Sequence, residues 1–224
     1  MTQINLNLSG NDICEEGASS IANALQKCYQ IIQLNLDFSG WNNIGVEGIQ
    51  SISNTLQKFQ SISQLNLNLS GTSYVQNHLG LIGAQIIAKG LENSQNISEL
   101  DLNLSLNKLG YDEFYLITKA IEKCQKISKL NLNLSQNSLK LNEVRAISNL
   151  LEVLINATEV NLNLSENLID DDSCKMIANS LTKSQNISKL NLDLSSNCVG
   201  NKEVSIIEIF LQNCKYITQL NLDL

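Results

Sequence analysis

Leu130-Asn131-Leu132-Asn133-Leu134-Ser135 is one copy of a phrase that returns along the whole chain, and its spacing decides the fold. Copies begin at Ile4, Leu34, Leu65, Leu100, Leu130, Val160, Leu190 and Leu220. Five of the seven intervals are thirty residues, one is thirty-one and one is thirty-five, so a single supersecondary unit is repeated with two local insertions. Within the phrase apolar residues alternate with Asn or Asp, the period of a strand with one buried face. In the seventh copy Leu190, Leu192 and Leu194 give that strand. Ile207, Phe210, Leu211 and Cys214 then follow at helical spacing and predict a stripe that covers the leucines. Ile21, Ala24, Leu25 and Cys28 in the first repeat and Ile117, Ala120, Ile121 and Cys124 in the fourth hold the same places. Each unit reads strand, turn, helix and return, and Ile31, Ile62, Ile97, Ile127, Ile187 or Ile217 announces the next strand.

Composition narrows the class. The repeat runs from residue 4 to residue 224 without a Pro-, Gly- or Ser-rich linker, which predicts one elongated domain over 1–224. Aromatic residues are only 4% of the chain, so Leu and Ile must form most of the core. Net charge is −7, and Arg145 is the sole arginine. Phosphate binding needs clustered positive charge, so nucleic acid is not an expected partner. Met1-Thr2-Gln3-Ile4 enters the first repeat at once, leaving no room for a signal peptide, and no apolar run nears the ~18 residues of a membrane span. The expectation is a cytoplasmic chain without membrane contact. Cys28, Cys124 and Cys214 recur at one repeat position, three repeats apart. Even at ~4.8 Å per strand that separation exceeds the reach of a disulfide, so they are expected to be buried free thiols.

Leu192-x-Leu194-x-x-Asn197-x-Val199 resembles the leucine-rich-repeat consensus, and the helical halves that begin Gly17-Ala18 and Gly83-Ala84 resemble its ribonuclease-inhibitor-like class. The thirty-residue period, lengthened by an extra Leu-Asn pair, is similar to expanded repeat families of ciliates. The resemblance implies an α/β fold, a curved solenoid with parallel strands on the concave face and helices on the convex face. Helices need ~8–10 Å of spacing against ~4.8 Å for strands, which bends the stack in that sense. About seven repeats precede a terminal strand. The chain stops at Leu224 before any covering helix, so it is expected either to continue in a longer protein or to have its ends covered by a partner.

Three sets of residues are candidates for function. Asn11, Asn42, Asn77, Asn107, Asn137, Asn167 and Asn197 recur at the turn after each strand, and the resemblance implies that they are buried and bond the backbone of neighbouring turns. Alternate strand positions, among them Asn35, Asp37, Asn66, Asn68, Asp101 and Asn103, must floor the concave face. They form either a self-satisfied amide ladder or a repeated hydrogen-bonding surface for an extended partner. The repeat is broken twice, by one residue near Trp41 and by five in Gly71 to Gln76. Trp41, Tyr74 and His78 should therefore share one rim, either as a partner-binding site or folded over the neighbouring loop. Asn-x-Ser/Thr matches at Asn7, Asn68, Asn103, Asn133 and Asn163 fall mid-strand, where glycans ~4.8 Å apart would collide.

No catalytic constellation is present. His78 is the only histidine, no phosphate-loop pattern appears, and Asp170-Asp171-Asp172 reads as a solvated turn rather than a metal site. No cofactor, metal or small-molecule substrate is expected. The sequence points to a noncatalytic protein-protein interaction scaffold or assembly subunit, and the ciliate resemblance implies a cytoskeletal or ciliary complex as its setting. The other reading is a regulator of an enzyme, as among ribonuclease inhibitors and Ran GTPase-activating proteins, with Arg145 the sole candidate arginine for the latter.

Overall fold

A computed structural model of the chain describes residues 1–28, 30–72, 79–199 and 203–224, the side chains of residues 203 and 204 excepted. Among the described residues eight strands alternate with seven helices: β1 (Gln3–Asn7), α1 (Cys14–Leu25), β2 (Gln33–Asp37), α2 (Gly45–Leu56), β3 (Gln64–Asn68), α3 (Gly80–Glu92), β4 (Glu99–Asn103), α4 (Tyr111–Lys123), β5 (Lys129–Asn133), α5 (Leu141–Val153), β6 (Glu159–Asn163), α6 (Asp171–Ser180), β7 (Lys189–Asp193), α7 (Glu203–Asn213) and β8 (Gln219–Asp223). All strands lie parallel in sequence order in one open sheet. The register follows the repeat: Leu36 pairs with Leu67, Leu67 with Leu102, and Leu102 with Leu132. Pairing continues beyond the strands, since the Phe38 N–H donates to Asn68 O at 2.8 Å and the Gly40 N–H to Ser70 O at 3.2 Å. The architecture is an α/β solenoid of repeated strand-helix units, with the parallel sheet on one side and the helices on the other.

The leucines of every interior strand are buried against the helices in one continuous core. That alternation is why the strands cannot slip: a one-residue shift would carry each leucine to the solvent face. The helices close the other side. A Cβ added to Gly48 would meet the Ala18 Cβ at 2.9 Å, so the glycine lets α2 approach α1. At α4 and α5 the Glu113 carboxylate accepts from the Gly110 N–H at 3.1 Å, and Glu143 accepts from the Lys140 N–H at 2.9 Å. Each reaches back from the first turn to tie down the loop before its helix.

Two expectations hold only in the interior. In α4 Ile117, Ala120 and Ile121, and Cys124 at its C-cap, are all buried as the stripe requires. In α7, Phe210 is buried but Ile207 is 41% and Leu211 is 65% exposed. Their counterparts, Ile177 in α6 and Leu181 at its C-cap, are buried because α7 lies beside them, whereas α7 has no helix on that side among the described residues. Ala24 in α1 is exposed for the converse reason, since no helix precedes it. The three recurrent cysteines divide in the same way: Cys124 is buried, while Cys28 and Cys214 are half-buried thiols of the first and last repeats, and all three are free.

Candidate interaction surfaces

The turn asparagines are structural where they have neighbours on both sides. Asn137 Oδ1 accepts from the Asn107 N–H and the Leu109 N–H, both at 3.1 Å, while its Nδ2 donates to Leu104 O, Leu134 O and Ser135 O. Asn167 repeats the pattern one unit on, accepting from the Asn137 and Leu139 N–H groups. Asn42, Asn107, Asn137 and Asn167 are buried, whereas Asn197 is half-buried and Asn11, on the first turn, is exposed. Asn77 lies outside the described residues. Asn107 Oδ1 is buried without a hydrogen-bond partner among the described residues. The amide network holds a costly backbone. Leu106, Gln136, Glu166 and Ser196, each just before a turn asparagine, have φ of 60°, 57°, 53° and 56°, a region that side chains disfavour.

The concave floor carries three polar rows. The row at the ends of the strands closes local turns: Asp37 Oδ1 accepts from the Ser39 N–H at 2.9 Å, Asn68 from Ser70 at 3.2 Å and Asn103 from Ser105 at 3.1 Å. Asn133, Asn163 and Asp193 do the same. These residues include four of the five glycosylation matches, and their amide oxygens are engaged in every case. The middle row is an amide ladder with a direction. Asn221 donates to Asn191, Asn191 to Asn161, Asn161 to Asn131, and Asn131 to Asp101 at 3.3 Å. Asn66 donates to the same Asp101 oxygen from the other side, also at 3.3 Å. Asp101 is thus the acceptor on which amides from both halves converge, the placement electrostatics favours for the one carboxylate in this stretch.

Sequence reading missed the third row, at the strand starts. Gln64, Glu99, Lys129, Glu159 and Lys189 stand side by side in register. Gln64 donates to Glu99 at 3.0 Å, and Lys129 pairs with Glu159 at 3.0 Å. Hydrogen bonds from Lys129 first, and Asn161 second, hold the Glu159 carboxyl below its usual range. The signal was visible as an alternation of charge at one repeat position. A second unread row lies one residue earlier, where Ser98, Ser128, Thr158, Ser188 and Thr218 each donate a hydroxyl to the carbonyl of the preceding repeat.

Above the floor the sheet leaves an open trough of about 660 Å³, lined by Asp101, Asn131, Asn161, Asn191, Asp193 and Asp223 among others. A smaller hollow of about 200 Å³ lies over Asn35, Asn66, Glu99 and Lys129 and shares Asp101 with it. By strand register Asn35, Asp37, Asn66, Asn68, Asp101 and Asn103 sit together on one face, although Asp37, Asn68 and Asn103 line neither hollow. Trp41, in the turn after β2, is 55% exposed. Tyr74 and His78, and most of the insertion that carries them, lie outside the described residues.

The acidic run at 170–172 is a helix start. Asp170 Oδ1 accepts from the Ser173 hydroxyl at 2.6 Å and from its N–H at 2.9 Å, capping α6, and Asp172 pairs with Lys175 at 3.0 Å. The Ser173 hydrogen bonds hold the Asp170 carboxyl below its usual range. Among the described residues no three His, Cys, Asp or Glu side chains gather to hold a metal ion. No helix among them is long and apolar enough to cross a membrane. Arg145 is exposed on α5.

No family model matches the chain, and no curated protein does. Solved structures that this chain is similar to include an internalin F from Listeria monocytogenes, 14% identical over 98% of this chain at a TM-score of 0.44. An internalin C2 from the same organism is 16% identical over 93% of this chain and 92% of its own length, with a TM-score of 0.38. This chain spans 60% of the internalin F structure.

Proposed function

We propose that this chain is a noncatalytic protein-protein interaction scaffold or assembly subunit, a single domain over 1–224. One observation carries the reading. The interior turn asparagines from Asn137 to Asn197, the amide ladder from Asn66 to Asn221 and the row at the strand ends are bonded to each other and to the backbone, so the uniform part of the molecule holds the fold. The exposed Trp41 stands instead where the repeat departs from its pattern. Selectivity belongs to the irregular positions, because a monotonous face offers little to tell partners apart. A protein partner is held by the rim with Trp41, Tyr74 and His78, and lies over the concave face beside Asn35, Asp37, Asn66, Asn68, Asp101 and Asn103. A charge of −7 speaks against nucleic acid.

The setting we propose is cytoplasmic, in a cytoskeletal or ciliary complex, on the strength of the thirty-residue variant and its resemblance to ciliate repeat families. The ribonuclease-inhibitor-like helical half supports the alternative, regulation of an enzyme. Affinity capture with the intact chain from its native source, followed by mass spectrometry, tests the reading. The wild-type chain should retain a defined protein partner that Trp41→Ala releases without loss of fold; retention by both would remove the rim from consideration. A GTP hydrolysis assay comparing wild type with Arg145→Ala addresses the regulator, whose arginine role requires that the substitution abolish stimulation.

A further inference from the structure

Charge on the concave sheet is divided unevenly. Along the strand starts Glu99, Lys129, Glu159 and Lys189 cancel, and Lys129 pairs with Glu159. The trough of about 660 Å³ beside them is lined by three carboxylates, Asp101, Asp193 and Asp223, and by no cationic side chain. Asp193 and Asp223 stand opposite each other in register on β7 and β8, ~4.8 Å apart, where like charges repel. Asp193 Oδ1 is spent on the Ser195 N–H and hydroxyl, at 3.0 and 2.6 Å, which leaves its second oxygen. Among the described residues no lysine or arginine forms an ion pair with any of the three. Lys189 starts the same strand as Asp193, four residues or ~13 Å away, and Lys108 and Lys140 lie in the turns after β4 and β5, two or more strands from β7. The ladder adds to the same field. Every amide from Asn221 to Asn131 gives its N–H toward Asp101, so the amide dipoles align with their oxygen ends toward β7 and β8. Two N–H donors answer Asp101 at the positive end, whereas Asp193 and Asp223 stand at the negative end.

Resting on the scaffold reading, we infer that this trough takes an extended segment of a protein partner that carries lysine or arginine, with its cations at Asp193 and Asp223. Charge selects the sign. A cation entering here relieves the repulsion between the two carboxylates, and an anionic or neutral segment does not. Geometry selects the conformation. From β4 to β8 the trough crosses four strand intervals, ~19 Å, the length of about six extended residues. Asn131, Asn191 and Asn221 each give one amide N–H to the ladder and keep a second for a partner carbonyl. An extended backbone presents such carbonyls along its length, whereas a helix bonds them to itself.

The test uses the intact isotope-labelled chain at low ionic strength and a synthetic peptide of about seven alternating lysine and threonine residues, acetylated and amidated at its ends. The same peptide with glutamate for lysine, and free lysinamide at equal lysine concentration, are the controls. The expected result is saturable binding with shifts confined to β4–β8, the side-chain amides of Asn131, Asn191 and Asn221 included. The Asp193→Asn/Asp223→Asn variant should bind about tenfold more weakly. It should melt as the wild type does, because Asn133 and Asn163 close the same turn with amide oxygens. Asn163→Asp places a third carboxylate beside Asp193 in register and should bind about threefold more tightly. Equal binding by wild type and the double variant, no gain from Asn163→Asp, equal shifts from lysinamide or the glutamate peptide, shifts spread over helix-start carboxylates such as Asp112 and Asp172, or no binding at millimolar peptide would each overturn the assignment. None of those results touches the scaffold reading, which stands or falls on capture of a native partner and its release by Trp41→Ala.

Discussion

Replacing Asn137 with alanine should cost this fold more than any change on its polar surface. The side chain is 2% exposed and makes five hydrogen bonds, two accepted from the Asn107 and Leu109 N–H groups and three donated to the carbonyls of Leu104, Leu134 and Ser135. Alanine leaves two backbone N–H groups without those acceptors in a buried turn, at ~1–3 kcal/mol each. Carbonyl oxygens lose less because each has a second lone pair. With some relief from entering water, the loss comes to about 3 kcal/mol. For a chain of this size that lowers Tm by about 6–12 °C. Asn11→Ala removes an exposed side chain with one bond of its own, Nδ2 to Ser9 O at 2.9 Å, and should change stability by less than about 0.5 kcal/mol. Denaturant titration of both variants gives the energies, and hydrogen exchange gives the location: the amides of Asn107 and Leu109 should lose protection first. If Asn137→Ala is as mild as Asn11→Ala, or if protection falls evenly over all repeats, the buried-ladder argument fails.

Two further outcomes follow from the same contacts. Asp170→Ala should cost about 1 kcal/mol of stability at neutral pH, as loss of a helix N-cap does, whereas Asp170→Asn should retain most of it. Because the folded carboxyl titrates below the usual range, the capping contribution is present above about pH 4 and is lost as pH falls through the folded value, so the difference between wild type and Asp170→Ala should shrink in acid. Thiol labelling at pH 8 should modify Cys14 and Cys198, both exposed, and spare Cys124 and Cys174 until denaturant is added, since burial pushes their thiols up to about 11 and about 12. Native labelling of Cys124 at the rate of Cys14 would contradict its placement in the core.

How legible each part was depended on how local its cause is. The leucine positions were readable because strand alternation and a thirty-residue return are properties of sequence spacing alone. The turn asparagines were readable because the same residue recurred where the backbone must leave the strand. Their strength was not, since each amide draws its donors from the turn before and part of its acceptors from there as well, and a residue at the end of the stack, such as Asn11, looks identical in sequence. The same limit explains Cys28 and Cys214, whose repeat position matched buried Cys124 but whose neighbours did not. The row from Gln64 to Lys189 carried a sequence signal in its alternating charges, yet only the cross-strand register made it a line of adjacent side chains.

By itself, then, the sequence determined the repeating unit, the buried leucine face, the parallel order and the asparagines at each turn, because these follow from periodicity and backbone demand. The tertiary structure alone decided which polar groups are spent on the fold. Asn66 and Asn131 both give an N–H to Asp101, a fact of partners thirty or more residues away. Gln136 has a left-handed backbone between Ser135, whose carbonyl accepts from Asn137 Nδ2, and Asn137, whose N–H donates to Asn167 Oδ1, and the second of these bonds comes from a turn thirty residues away. Exposure was decided in the same place: Ile177 and Ile207 hold one repeat position, and the helix packed beside α6 buries the first while the second is left 41% exposed.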